Sequence, residues 1–296
     1  MRVATFHAEL TRKGPGLLLR DMAKGKDAQI EAVAAVIAHA RPDVLLLTKV
    51  DVDAGGRTAQ ALSEALGFPY SLSVMPNSAI FIDGTRAAWA PFSGGGGMVL
   101  LSRLPVTLLG THNDRLWRDL EGAEMPVRAD GTPYYSDALR SALPVVTQGL
   151  WEVEIAGITF VLFQNRSPVF DGEEDRNGKR SRDQLRLIGQ VLDAQTGPFV
   201  AMGNTNLDPR AGQGDRAAMA AFLNRDDLQD LRPRSAAGGV NTAFWEKPGA
   251  MRVSYILPST DLAAVHAGIL WPESGPLHSA AQQASRHRLV WMDIRP

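Results

Sequence analysis

Residues 42–47 read Pro-Asp-Val-Leu-Leu-Leu, so Val44, Leu45, Leu46 and Leu47 form an unbroken apolar run. Side chains on a strand alternate between its two faces, so a strand with one wet face alternates polar and apolar residues. An unbroken run of strand length marks a central strand covered on both faces. The segment before it, 27–40, carries Ile30, Val33, Val36, Ile37 and Ala40 at helical spacing, and Pro42 marks that helix's end. A helix leading into a doubly buried strand requires a sheet with a layer on each side.

The remaining pattern alternates in the same way. Segments 2–6, 98–101, 151–155, 159–163, 199–202, 253–257, 265–271 and 289–294 read as strands, and Ala156-Gly157 joins two of them as a hairpin. Residues 57–66 form a short amphipathic helix closed by Gly67, and 183–192 are helical. Strands both paired and separated by helices predict a mixed α/β or α+β fold. No low-complexity linker divides the chain, so one domain is expected over residues 1–296. Segment 111–143, with Trp117, Tyr134 and Tyr135, shows little periodicity and is expected to be a loop serving as a lid or an interface.

Charge excludes some functions. Lysine plus arginine total 31 and aspartate plus glutamate 32, a formal net charge of −1. That argues against a broad nucleic-acid surface and against an acidic solvating tail. With no cysteine there are no disulfides, thiolate metal sites or cysteine nucleophiles. The N-terminal stretch lacks a basic segment followed by an apolar one, and no apolar run approaches the ~18 residues of a membrane span. A cytoplasmic protein without a membrane partner is expected. The sequence does not name an oligomeric state.

Six stretches carry a resemblance over nearly the whole chain. They begin Arg2-Val3-Ala4-Thr5-Phe6-His7, Pro42-Asp43-Val44-Leu45-Leu46-Leu47-Thr48-Lys49, Gly97-Met98-Val99-Leu100-Leu101-Ser102, Pro168-Val169-Phe170-Asp171 and Met202-Gly203-Asn204-Thr205-Asn206. The last pairs Met251-Arg252-Val253-Ser254 with Ser285-Arg286-His287. In this order they resemble the endonuclease/exonuclease/phosphatase superfamily of metal-dependent phosphoester hydrolases, most closely a bacterial phosphoesterase-like branch. The resemblance implies a four-layered α/β sandwich, two packed mixed β-sheets flanked by helices.

At the family's catalytic positions this chain departs from the pattern. The family has asparagine where His7 stands and a metal-binding glutamate where Lys49 stands. It has aspartates where Asn204, Ser254 and Arg286 stand, and another near Asn241. Its other histidine would fall near Gln164 or Asn165. Only Asn206 and His287 match. Mg²⁺ needs oxygen ligands with one or two carboxylates, and two like charges ~4 Å apart repel by ~4 kcal/mol at an effective dielectric of 20. The resemblance therefore implies loss of the Mg²⁺ site, with no metal and no other cofactor expected.

Two readings follow. In the first the protein is a pseudoenzyme whose Lys49, Arg286, Asn204, Asn206 and Ser254 bind an anionic small molecule, or which binds a protein partner. In the second it is a metal-independent enzyme on a phosphate- or carboxylate-bearing substrate, with Lys49 and Arg286 as a clamp and His7 and His287 as acid and base. Plainer roles compete with these. Lys49 could pair with Asp51 or Glu9, Arg286 could cap a loop, and His7 could be a hydrogen-bonded core histidine. A displaced carboxylate set, Asp43, Asp51 and Asp208, is a third reading that keeps a metal. The Gly94–Gly97 run precedes a strand and lacks the lysine of a phosphate-binding loop, so it is structural. Asp171, Glu173, Glu174 and Asp175 read as a solvated turn with Asn177-Gly178, balanced by Arg176, Lys179, Arg180 and Arg182.

Overall fold

A computed structural model describes residues 1–79, 81–82, 85–86 and 90–295. The chain opens with β1 (Arg2–Leu10), α1 (Leu17–Lys24), α2 (Ala28–Ala40), β2 (Val44–Val50), α3 (Arg57–Leu66) and β3 (Tyr70–Leu72). A two-stranded ribbon, β4 (Phe81–Ile82) and β5 (Thr85–Arg86), precedes β6 (Gly97–Ser102) and β7 (Thr107–Thr111). Then come α4 (Asp137–Ala142), β8 (Gly149–Ile155), β9 (Ile158–Gln164), α5 (Arg176–Asp193), β10 (Phe199–Asn204) and α6 (Arg216–Leu223). A second ribbon, β11 (Ala243–Phe244) and β12 (Ala250–Met251), leads to β13 (Ser254–Pro258), β14 (Ala263–Leu270), α7 (Gly275–Ala284) and β15 (Leu289–Arg295).

Eleven of these strands make two mixed sheets, ordered β14-β15-β1-β2-β6-β3 and β13-β10-β9-β8-β7. Each contains one parallel pair, β1 with β2 and β9 with β10, flanked by antiparallel neighbours. Alternation along the strands builds the layers. Val3, Val44, Leu46, Phe160, Leu162, Val200, Met202 and Val290 fill the space between the sheets. Ala4, Phe6, Leu45, Leu47 and Leu289 face α2 and its neighbours on one outer side. Val161, Phe163, Ala201 and Leu257 face α5 and α6 on the other. The apolar run at 44–47 is thus buried on both faces, and the architecture is the expected α/β sandwich of two mixed sheets flanked by helices. Each such buried side chain stabilises the fold by roughly 1.5–3 kcal/mol.

Asp27 caps α2 by accepting the amides of Gln29 and Ile30, both at 3.0 Å. Helices α1, α6 and α7 and the short strands were not legible as periodic segments. Segment 111–143 is no free loop. Trp117 is fully buried, its indole N–H donates to Asp183 Oδ2 at 2.7 Å, and the Glu124 amide donates to the same oxygen at 2.8 Å.

The acidic turn also needs correction. Helix α5 begins at Arg176, so Asn177 and Gly178 lie buried in its first turn. Among the described residues Arg176 makes the ion pair to the turn, at 3.0 Å from Glu174, while Lys179 and Arg182 act on Asp175 from further off. Arg182 pairs with Glu124 at 2.9 Å, and buried Arg180 donates to the carbonyls of Pro144 and Val145. Among the described residues no helix is long and apolar enough to cross a membrane.

Candidate functional site

The two parallel pairs put four carboxyl ends at one end of the sandwich. The residues that continue the inter-sheet alternation there are polar: His7 and Thr48 on β1 and β2, Gln164 and Asn204 on β9 and β10. Ser254 pairs with Asn204 across β10 and β13. All five are buried. Gly203, beside Asn204, has a φ of 154° and approaches β9 so closely that a Cβ would lie 1.8 Å from the Phe163 carbonyl oxygen. A residue with a side chain would push the two strands apart just where Asn204 meets the site.

Lys49 occupies a β-bulge against both neighbours. Ala8 and Glu9 oppose it on β1, and nothing opposes it on β6. Its φ is 60°, and that of Glu9 is 53°. Bulges re-aim a side chain and leave backbone groups without ladder partners. Gln164 supplies the partner here, accepting the Lys49 amide at 2.8 Å and donating to the Gly96 carbonyl at 3.3 Å. The lysine stem lies along Gly96, whose φ is 71° and where a Cβ would sit 3.4 Å from Lys49 Nζ. The glycine run is therefore structural, as expected, and it frames Lys49.

Neither expected partner reaches that ammonium. Glu9 is engaged by Arg286, through the Arg286 amide at 2.9 Å and a fork of guanidinium contacts. Asp51 accepts the Arg12 amide at 2.7 Å and the Gly96 amide at 3.2 Å. Lys49 makes no ion pair among the described residues. Burial pushes its pKa down, Glu9 and Asp51 push it up less, and Arg166 and Arg286 add to the lowering. Arg286 caps the Glu9 bulge at the rim with its side chain 62% exposed.

The two histidines stack, with ring centroids 4.1 Å apart. The amide of Asn206 donates to Asn204 Oδ1 at 2.7 Å, which turns Asn204 Nδ2 towards His7 Nδ1 at 2.8 Å. His7 Nδ1 is then an acceptor and the ring proton sits on Nε2. Burial, with the charge of His287 and Lys49, holds the His7 pKa well below its usual range. Burial also pushes His287 down to about 4. Both rings are neutral at neutral pH. Ser254 Oγ and His287 Nδ1 are buried without partners, so the serine does not orient this histidine as an aspartate would.

Sequence reasoning missed Arg166. It follows Gln164 and Asn165, and no motif marks it. Its amide donates to Gln184 Oε1 at 2.7 Å and its Nε to Asn177 Oδ1. Burial lowers its pKa and it makes no ion pair among the described residues. Beside it Asn165 Nδ2 is buried without an acceptor, and Asn206 donates to the Asn165 carbonyl at 2.8 Å.

This donor set does not fit Mg²⁺. The residues gathered here offer ammonium, guanidinium, amide, hydroxyl and imidazole groups, and the carboxylates beside Lys49 are engaged, Glu9 by Arg286 and Asp51 by the amides of Arg12 and Gly96. No cluster of three histidine, aspartate or glutamate side chains suited to a metal occurs among the described residues. The displaced carboxylates are not brought together either. Asp43 accepts the Arg2 amide at 2.7 Å. Asp208 accepts the amides of Arg210, Ala211 and Arg252 at 2.7, 3.0 and 2.6 Å.

Solved structures share this fold. An endonuclease/exonuclease/phosphatase from Beutenbergia cavernae superposes with a TM-score of 0.60 at 19% identity, covering 100% of this chain and 71% of that one. A mannosyl-6-phosphatase from Bacteroides thetaiotaomicron gives 0.58 at 15% identity, covering 100% of both chains. A 3'-5' exonuclease from Neisseria meningitidis gives 0.58 at 13%, again covering 100% of both. Among curated proteins none matches. The model of the Endonuclease/Exonuclease/phosphatase family matches residues 22–287, and with two mixed sheets converging on these positions the chain belongs to that family.

Proposed function

We propose that this protein is a pseudoenzyme of its family, one that has exchanged a cation site for an anion site and binds a small anionic ligand. The observation that carries this is the pair Lys49 and Arg166, two part-buried cations that no carboxylate pairs with among the described residues. Charge withdrawn from water is costly unless it is paired. An anion entering beside Lys49 offsets that cost. Asn204, Asn206, Ser254, His7 and His287 line the pocket, and Arg286 closes its rim by way of Glu9. Neutral imidazoles, one with Nδ1 already accepting, suit a lining better than an acid/base pair.

Phosphate is the natural first probe, since the fold's relatives include a mannosyl-6-phosphatase. Calorimetry at pH 7 should show inorganic phosphate binding that a chelator leaves unchanged and that Lys49→Gln weakens at least tenfold. Absence of phosphate binding overturns the reading. So does Mg²⁺- or Mn²⁺-dependent hydrolysis of an aryl phosphodiester that Asn206→Ala abolishes.

A further inference from the structure

Arg166 is built as a second recognition point. Its guanidinium is fixed from one side only, by Asn177 Oδ1. Asn177 is itself buried, held by its own amide on Asp171 and by its Nδ2 on the Val169 carbonyl at 2.8 Å. Asp171 is thereby turned to a backbone N–H, and both Nη groups of Arg166 have no protein acceptor among the described residues. The wall behind is also positive. Arg180 is buried, and Arg176 donates to the Tyr134 hydroxyl at 3.2 Å while pairing with Glu174. Tyr134 and Tyr135 meet edge to face there, with centroids 5.1 Å apart.

A different anchor separates this fork from Lys49. Gln164, whose side chain bonds the Lys49 amide, lies two residues before Arg166. Arg166 itself lies past the end of β9 and is anchored on α5 through Asn177, away from the bulge that carries Lys49. Between Gln164 and Arg166 in the chain, Asn165 Nδ2 is buried without an acceptor.

We propose that the ligand carries two anionic groups, one held by Lys49 and the second by the Arg166 fork on the tyrosine-lined side. This rests on the anion-site reading above. A guanidinium fork matches phosphate or carboxylate oxygens in pairs, so the ligand class is a bisphosphate, a diphosphate, or a phosphate ester bearing a carboxylate.

Calorimetry with inorganic phosphate, pyrophosphate and fructose 1,6-bisphosphate as probes tests this. At least one two-anion probe should bind tenfold or more tighter than phosphate. Arg166→Gln should remove that advantage and weaken phosphate clearly less than it weakens the two-anion probe, while Lys49→Gln weakens every probe. Arg166→Lys, with the charge but not the fork, should recover part of the advantage, which separates lost recognition from lost folding. Two-anion probes binding no tighter than phosphate overturn the two-point proposal and leave the anion site standing. The two-point proposal also falls if Arg166→Gln weakens phosphate as much as the larger probes, since one anion then bridges both cations. No binding by any probe overturns both.

Discussion

Two regions of this molecule bury cations in opposite ways. Arg252, its side chain 7% exposed, meets Asp230 through a bidentate fork at 2.5 and 2.6 Å and lies 4.6 Å over the Tyr255 ring. Lys49 and Arg166 are withdrawn from water at the mouth of the sandwich, and neither makes an ion pair among the described residues. At Arg252 the fold itself provides the counter-charge. At the mouth Glu9, Asp51 and Asp171 act on these cations from a distance and pair with neither.

Breaking the strut should have the largest effect. Asp230→Ala strands the Arg252 guanidinium, and denaturant unfolding should show a loss of about 3–5 kcal/mol. A smaller loss would mean that water reaches Arg252 and that the strut and the mouth differ only in degree.

Acid should act next. His287 titrates near 4 when folded and about 6.5 when unfolded, so as pH falls the unfolded chain takes up its proton first. Stability is fully present above about pH 6.5, declines between 6.5 and 4, and is flat in this respect below 4. The loss is about 3 kcal/mol, and His7 adds to it in the same direction. Melting temperature should fall as pH drops through that window, and His287→Gln should reduce the slope. An unchanged slope would place the effect elsewhere.

Lys49→Met keeps the stem along Gly96 and removes the uncompensated charge. It should stabilise the ligand-free protein by about 1 kcal/mol, or about 2 °C in melting temperature, while abolishing phosphate binding. Destabilisation instead would make Lys49 a second strut. Arg286→Ala should matter least, within about 1 kcal/mol, because its guanidinium is largely in water. A larger loss would show that the arginine holds the Glu9 bulge in place.

Much of this was legible in the chain. The run at 44–47 required two covered faces, and the family resemblance singled out His7, Asn204 and Ser254, which the strand ends bring together. The alanine-rich helices α6 and α7 hid because few large apolar residues mark their buried stripes, and α1 because its 8 residues make little more than two turns. Arg166 was illegible for a different reason. Its standing depends on which nearby carboxylates are already engaged, and that is a property of packing: Asp171 looks available in sequence and is turned to a backbone amide in space. The Glu9–Arg286 pair likewise spans 277 positions and needs the left-handed turn at Glu9 to form.

The bulge at Lys49 carries a wider consequence. Its direction is set by the mismatch in strand register and by the Gln164 amide, neither of which involves the lysine side chain. Position 49 therefore behaves as a fixed socket. Whatever side chain occupies it is presented at the same place, so the charge offered at this strand end can be changed by a single exchange without redrawing the scaffold around it.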